Sequence, residues 1–271
     1  MIMGKVIDLE IIEEIYKWRD EIILNITRED VDVYLWLRNE YEKGNVIDNT
    51  VFQFIFRSYY RLDSAGLSDE QKTEYFKLLA SGNIDLKVIL NRLYALPTLR
   101  GGNTIQFSFA TKLLHTIDND KPIFDSEVST VIHKVVSGNN KEAKIDSAKI
   151  LFDYMEDLYL EFSKNKKIQE VIKKFRTRFC VDAKKITDYK ILDFIIWSLG
   201  KLKRKNKTKD LKRRSSISNS QKKSNLILID TLMESVREPM RKQMQAKLNA
   251  ELKKGNPSQF LINHYKKGLG L

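Results

Sequence analysis

Apolar residues recur at helical spacing through most of the first 200 residues. Over 7–24, Leu9, Ile12, Ile15, Tyr16, Ile22 and Ile23 fall at intervals that place them toward one side of a helix. Thr27 followed by Asp30 predicts a cap leading into a helix over 28–42, closed by Gly44. Asp48 or Asn49 caps the next helix, which runs to about Leu62 and turns Phe52, Ile55, Phe56 and Tyr59 toward the core. Ser68 and Gln71 form a capping box for a helix over 69–80, stopped by Gly82. Asp85 starts another, ending near Pro97. Further helices are predicted over 104–117, 126–136, 141–163, 165–178 and 187–201. No segment in this range alternates with the period of a strand, and no internal repeat is visible. Gly and Pro number only 11 and 4, too few for the many tight turns of a sheet protein. The expectation is an all-α fold.

Charge changes the picture at the C-terminus. Residues 200–271 hold 19 Lys and Arg against 5 Asp and Glu, whereas the remainder holds 29 against 31. The whole excess of +12 therefore belongs to the last quarter of the chain. Such asymmetry suits a polyanionic partner, and nucleic acid is the first choice ahead of a membrane. The bland alternative is a solvated lysine-rich surface. Residues 201–225 are almost devoid of apolar side chains and are expected to form a flexible basic linker. That predicts three parts: a helical domain over 1–200, the linker over 201–225, and a helical segment over 226–271. In the last part a helix starts near Leu226, and Pro239 kinks it or opens a new one. Met240, Met244, Leu248 and Leu252 then recur every four residues as a stripe that packs in the same chain, or meets a second copy or a protein partner.

Cys180 is the single cysteine, so no internal disulfide can form, and it is expected to be a small core residue. No apolar run approaches the ~18 residues of a membrane helix. No charged-then-apolar signal pattern opens the chain, and a reducing cytoplasm is expected. Three widely separated histidines and one cysteine do not suit a zinc site. Neither a phosphate-binding Walker loop nor a dinucleotide fingerprint is present. No cofactor is expected.

The stretch from Leu96 to Val128 carries the candidate chemistry. It reads L-P-T-L-R-G-G-N-T-I-Q-F-S-F-A-T-K-L-L-H-T-I-D-N-D-K-P-I-F-D-S-E-V. A turn with paired glycines leads to a helix bearing Lys112, and a proline-led apolar turn presents Asp125 at the start of the next helix. This arrangement resembles the core of the helix-hairpin-helix DNA glycosylases. The string F-A-T-K-L-L-H…P-I-F-D-S-E-V is similar to a bacterial group of that fold related to 8-oxoguanine glycosylases. Leu96-Pro97 and Gly101-Gly102 match the hairpin, and Pro122-Ile123-Phe124-Asp125 match the loop with the catalytic aspartate. The resemblance covers about residues 85–135 and implies DNA binding, with excision of a damaged or modified base.

Each matched part has a physical rationale. Consecutive glycines let backbone N–H groups approach a phosphate, with Arg100 and Asn103 beside them. An aspartate next to an extrahelical nucleotide stabilises positive charge on the sugar as the glycosidic bond breaks. A lysine of depressed pKa can attack the sugar carbon and form a Schiff base. Lys203, Arg204, Lys205, Arg213 and Arg214 would hold phosphates without reading sequence.

The chain also departs from the family pattern. The hairpin reads T-L-R-G-G-N and lacks the glycine-any-glycine form. Lys112 lies 13 residues before Asp125, closer than in members that cleave the strand, and the family spacing lands on Gln106. Gln106 and Lys112 are six residues apart, about 600° of helical rotation, so they project differently. Structural alternatives stand beside each role. Asp125 suits a helix cap, Lys112 an apolar face with a snorkelling head, and His115 a satisfied core histidine or a pocket residue. Arg100 and Asn103 suit ordinary turn positions. Tyr59, Tyr60 and Trp36 could stack on a base, but suit the core better. The competing function is a nucleic-acid-binding or regulatory protein that has no catalytic role.

Overall fold

The structure is a computed structural model that describes residues 2–63, 66–82, 85–214, 242–255 and 257–269. All regular structure among the described residues is helical. The elements are α1 (Ile2–Lys17), α2 (Arg19–Asn25), α3 (Arg28–Glu42), α4 (Thr50–Tyr60), α5 (Asp69–Ser81), α6 (Leu86–Tyr94), α7 (Phe107–Ile117), α8 (Ser126–Ile132), α9 (Lys141–Lys164), α10 (Lys166–Phe179) and α11 (Asp188–Arg214). Then come α12 (242–252) and α13 (Gln259–Leu269). The chain divides into two compact units, Met1–Thr208 and Lys209–Leu271.

In the first unit local chemistry sets the helix starts. Thr27 and Asp30 form a reciprocal capping box on α3, and Ser68 and Gln71 form one on α5. Asn49, Asp85, Asn140 and Asn165 each accept a backbone N–H at the start of α4, α6, α9 and α10. Such caps satisfy amides that have no partner within the helix. α1 packs on α10, α3 on α4, α5 and α6 on α7, and α9 on α6 and α10. One apolar core runs through these contacts, with Phe52, Phe56, Phe162 and Phe175 fully enclosed.

Several boundaries differ from the pattern read in the sequence. The first long helix is broken at Trp18, whose φ of −99° and ψ of 16° separate α1 from α2. α8 stops at Ile132 because His133 takes a left-handed conformation at φ 55°. Cys180 is exposed, not core: it takes the left-handed position (φ 53°) that ends α10. α11 does not give way to a linker at residue 201 but continues to Arg214. Lys and Arg are good helix formers, and no Gly or Pro interrupts 201–214. Residues 215–225 lie outside the described residues.

The second unit is described for α12, α13 and the turn between them. Leu248 and Ile262 are buried, and Glu251 Oε1 accepts the Ser258 N–H across the turn at 2.9 Å. Leu252 is 51% exposed, so the buried stripe does not extend to it. The expected helix start near Leu226, Pro239 and Met240 lie outside the described residues. No helix among the described residues is long and apolar enough to cross a membrane.

Candidate functional site

Residues 95–106 connect α6 to α7. Within them Gly101 N donates to Thr98 O at 2.9 Å and Thr98 N to Gly102 O at 2.8 Å, closing a tight turn. Leu99 N donates to Gly66 O at 3.0 Å, and Asn103 Nδ2 donates to Tyr94 O at 2.6 Å, so the turn is tied at both sides. Gly101 sits at φ +81°, a conformation that strains any residue with a side chain. Arg100, Gly101, Gly102 and Asn103 are all exposed. The following helix begins at Phe107 and not at 104, so the glycines do not open it directly. Gln106 occupies its N-cap, buried, with Nε2 on Thr104 Oγ1 at 2.8 Å.

Asp125 is fixed by two sets of bonds. Thr111 Oγ1 on α7 accepts the Phe124 N–H at 3.0 Å, latching the P-I-F-D turn to that helix. Asp125 Oδ1 then accepts the Glu127 and Val128 N–H groups, both at 2.9 Å, and caps α8. Its second carboxylate oxygen makes no hydrogen bond or ion pair among the described residues, on a side chain that is only partly buried. One residue therefore combines the cap with a second carboxylate oxygen that has no bond among the described residues.

Lys112 points inward from α7 and is 8% exposed. Its Nζ donates to Tyr60 O and Ser108 Oγ, both at 3.2 Å, and lies 5.0 Å from the Phe109 ring centre. It forms no ion pair among the described residues. Burial pushes its ammonium below the usual lysine range, and the charges of Asp125 and Asp193 oppose that shift.

A second buried lysine went unnoticed in the sequence. Lys190 and Asp193 on α11 are 2% and 6% exposed and pair at 2.7 Å. The Lys190 ammonium sits 4.7 Å from the Tyr34 ring centre and 4.5 Å from that of Phe194. Burial raises the Asp193 carboxyl, and Lys190 beside it counters the rise. Asp125 and Lys112 both act on Asp193 through their charge, so the two lysines and two aspartates share one electrostatic environment. His115 is fully enclosed near this group. Its Nδ1 lies 2.6 Å from Lys121 O and must be the protonated nitrogen, while Nε2 is buried with no hydrogen-bond partner among the described residues. Burial, then the charge of Lys190, holds its pKa well below the ordinary range and keeps it neutral.

The basic end of α11 approaches α8. Gly200 permits this, because a Cβ there would stand 2.4 Å from Glu127 O. Arg204 then reaches Ser126 Oγ and Glu127 Oε1, both at 3.1 Å. Glu127 is buried, its Oε2 has no hydrogen-bond partner among the described residues, and burial raises its pKa. Lys203 pairs with Glu14, and Lys205 donates to Asn25 Oδ1. Arg213 and Arg214 are the last described residues of α11, and their side chains lie outside the description. Tyr59 and Tyr60 belong to the core side: Tyr59 donates to Asp30 O at 3.1 Å, and Tyr60 is buried. Trp36 packs against the same core.

A shallow cavity flanks this region, with Tyr34, Arg38, Tyr60, Thr116 and Asn119 among its walls. Lys112 and Asp125 do not line it, although Tyr60 O and Thr116 Oγ1 each bond to Lys112. Comparison with protein-family models, curated proteins and solved structures gives no match for this chain.

Proposed function

We propose that this chain is a DNA-binding protein of the helix-hairpin-helix glycosylase type that excises a damaged or modified base. The observation that carries the reading is a rigidly held carboxylate with one oxygen in a helix cap, together with a buried amine that has no ion pair among the described residues and feels the charge of that carboxylate. Asp125 spends one oxygen on the α8 cap, and its other oxygen is left to face a reacting sugar. As the base leaves with the glycosidic electron pair, positive charge grows on the sugar, and a fixed carboxylate stabilises that charge more than it does the neutral ground state. Lys112, its pKa lowered by burial, supplies the amine that bonds to the sugar carbon as the base leaves and takes up a proton. The bond from that carbon to the ring oxygen then breaks, the oxygen receives the proton the amine gives up, and the carbon–nitrogen double bond of a Schiff base forms. An incoming nucleotide must displace the Lys112 contacts with Tyr60 O and Ser108 Oγ. Arg100, Gly101 and Gly102 on the exposed turn and Lys203, Arg204 and Lys205 on α11 supply phosphate contacts.

The near-complete burial of Lys112 favours a second reading, a nucleic-acid-binding or regulatory protein in which Lys112 and Asp125 only hold the fold. Substitution Asp125→Asn separates the two. Asparagine keeps the cap, so stability and duplex affinity should hold while excision from a panel of single-lesion oligonucleotides is lost. Undiminished excision by the variant would remove Asp125 from the chemistry. No excision by the wild-type chain on the whole panel would leave the binding reading.

A further inference from the structure

Glu127, on the first turn of α8, is a buried carboxylate that the roles above do not use. Its side chain is 11% exposed, and its Oε1 meets the Arg204 guanidinium at 3.1 Å. Its Oε2 has no hydrogen-bond partner among the described residues. A carboxylate enclosed in this way, with little to replace its lost water, is disfavoured in its charged form. The root of the side chain is held against α11. A Cβ at position 200 would stand 2.4 Å from Glu127 O and 2.8 Å from Glu127 Cβ, so glycine there lets the two backbones touch.

Arg204 is the movable partner. It lies one turn beyond Gly200 on α11, and its side chain is 53% exposed. In the basic run 201–205, Lys203 is drawn to Glu14 and Lys205 to Asn25, whereas Arg204 bridges to Ser126 Oγ and Glu127 beside Asp125. Burial pushes the Glu127 carboxyl up. Arg204 opposes that rise most strongly, Asp125 adds to it, and Lys201 and Arg61 oppose it. On α1, which also packs on α8, Glu13 and Glu14 are paired with Lys167 and Lys203. Withdrawing Arg204 therefore takes the strongest opposing charge from a carboxylate that is bonded to no second cation among the described residues.

We infer that the Glu127–Arg204 pair links phosphate binding at α11 to the uptake of a proton. A phosphate of a bound duplex draws the Arg204 guanidinium outward, and Glu127, left enclosed without it, takes one proton from solvent. The linkage follows from the asymmetry of the pair: the exposed cation can be shared with a ligand in solution, and the buried anion cannot. Acid then favours binding. Affinity falls as pH rises across the range in which Glu127 is protonated in the complex but charged in the free protein. The inference rests on the DNA-binding reading but does not need catalysis.

The test uses the full chain and an undamaged duplex, with affinity read by fluorescence anisotropy from about pH 5.5 to about pH 8 at constant ionic strength. One linked proton changes Kd by at most about tenfold per pH unit. The wild type should lose several-fold more affinity over this range than Glu127→Gln, which has nothing to titrate at that position. At the alkaline end Glu127→Gln should bind several-fold more tightly than the wild type, because Arg204 is released to the phosphate. Arg204→Gln should bind more weakly throughout but show the same flattened profile, since its free and bound states present the same Glu127. This second variant changes an exposed side chain, so it carries the comparison even if Glu127→Gln fails to fold. Calorimetry in two buffers of different ionisation heat should show more proton uptake on binding by the wild type than by either variant. Equal pH slopes in the wild type and the variants, or equal proton uptake, would overturn the linkage alone. Failure of the wild type to bind any duplex at low salt would instead overturn the DNA reading, and the linkage with it.

Discussion

Lys112 and Lys190 are both buried, yet the protein treats them differently. Lys190 has its own carboxylate one helical turn away on α11, at 2.7 Å, and two aromatic rings, Tyr34 and Phe194, beside it. Among the described residues Lys112 has a main-chain carbonyl and a serine hydroxyl at 3.2 Å and one aromatic ring, that of Phe109, but no carboxylate partner. A buried ammonium with a bonded counter-ion is a closed structural unit. One held by neutral acceptors keeps its charge at a cost, so its neutral amine form is easier to reach. Lys190 thus serves the fold, and Lys112 is the residue on which the proposed chemistry rests.

Breaking the closed pair should give the largest effect. Asp193→Asn leaves Lys190 buried without its counter-charge and should cost about 3–5 kcal/mol. Urea denaturation of the full chain followed by far-UV circular dichroism measures it. A loss below about 1 kcal/mol would mean that water or another group already serves Lys190.

Much of the fold was legible in the sequence because its signals are local. The capping boxes at Thr27–Asp30 and Ser68–Gln71, the caps at Asn49 and Asp85, and the left-handed stop at Gly82 all lie where the pattern put them. The break at Trp18 was not legible, since no Gly or Pro marks it. The extension of α11 was hidden by composition: a run of Lys and Arg looks solvated whether it is coil or helix. In the candidate site, Lys112 and Asp125 could be picked out because each interrupts or ends an apolar run. Lys190 and Asp193 interrupt one as well, in Y-K-I-L-D-F-I-I-W, and their three-residue spacing was the available signal for a buried pair. The Thr111 latch had no signal, because a threonine in an apolar helix has no visible partner until Phe124 folds back onto it. Nothing in the sequence separated an Asp125 that caps from one that reacts, and the bonds to Oδ1 alone leave room for both.

The same electrostatic environment makes a pH prediction through His115. Its ordinary pKa is 6.5 and its folded pKa lies well below that. Below pH 6.5 the unfolded chain therefore takes up a proton that the folded chain refuses, and stability falls as pH falls. From pH 7 to 5.5 this one group should remove about 1 kcal/mol. His115→Leu should flatten that part of the stability profile, and an unchanged slope would show that His115 is protonated in the folded state.

The Asp125 cap should be worth about 1 kcal/mol. Asp125→Ala loses it and Asp125→Asn keeps it, so the two variants should differ in melting temperature. Equal stability would mean that the two bonds to Oδ1 contribute nothing. The smallest effect should come from Lys112→Met, which gives up two long hydrogen bonds but also removes a buried charge. A stability change within about 1 kcal/mol is expected. A loss as large as that of Asp193→Asn would make Lys112 a second structural lysine and erase the comparison.

Borohydride trapping tests the central claim most directly. The full chain is incubated with single-lesion oligonucleotides and reductant, and covalent protein–DNA adducts are resolved by denaturing electrophoresis. If Lys112 is the amine, the wild type gives an adduct on at least one lesion and Lys112→Gln gives none, although it remains folded and binds the duplex. An adduct that survives Lys112→Gln, or excision that proceeds with no adduct at all, would contradict the assignment.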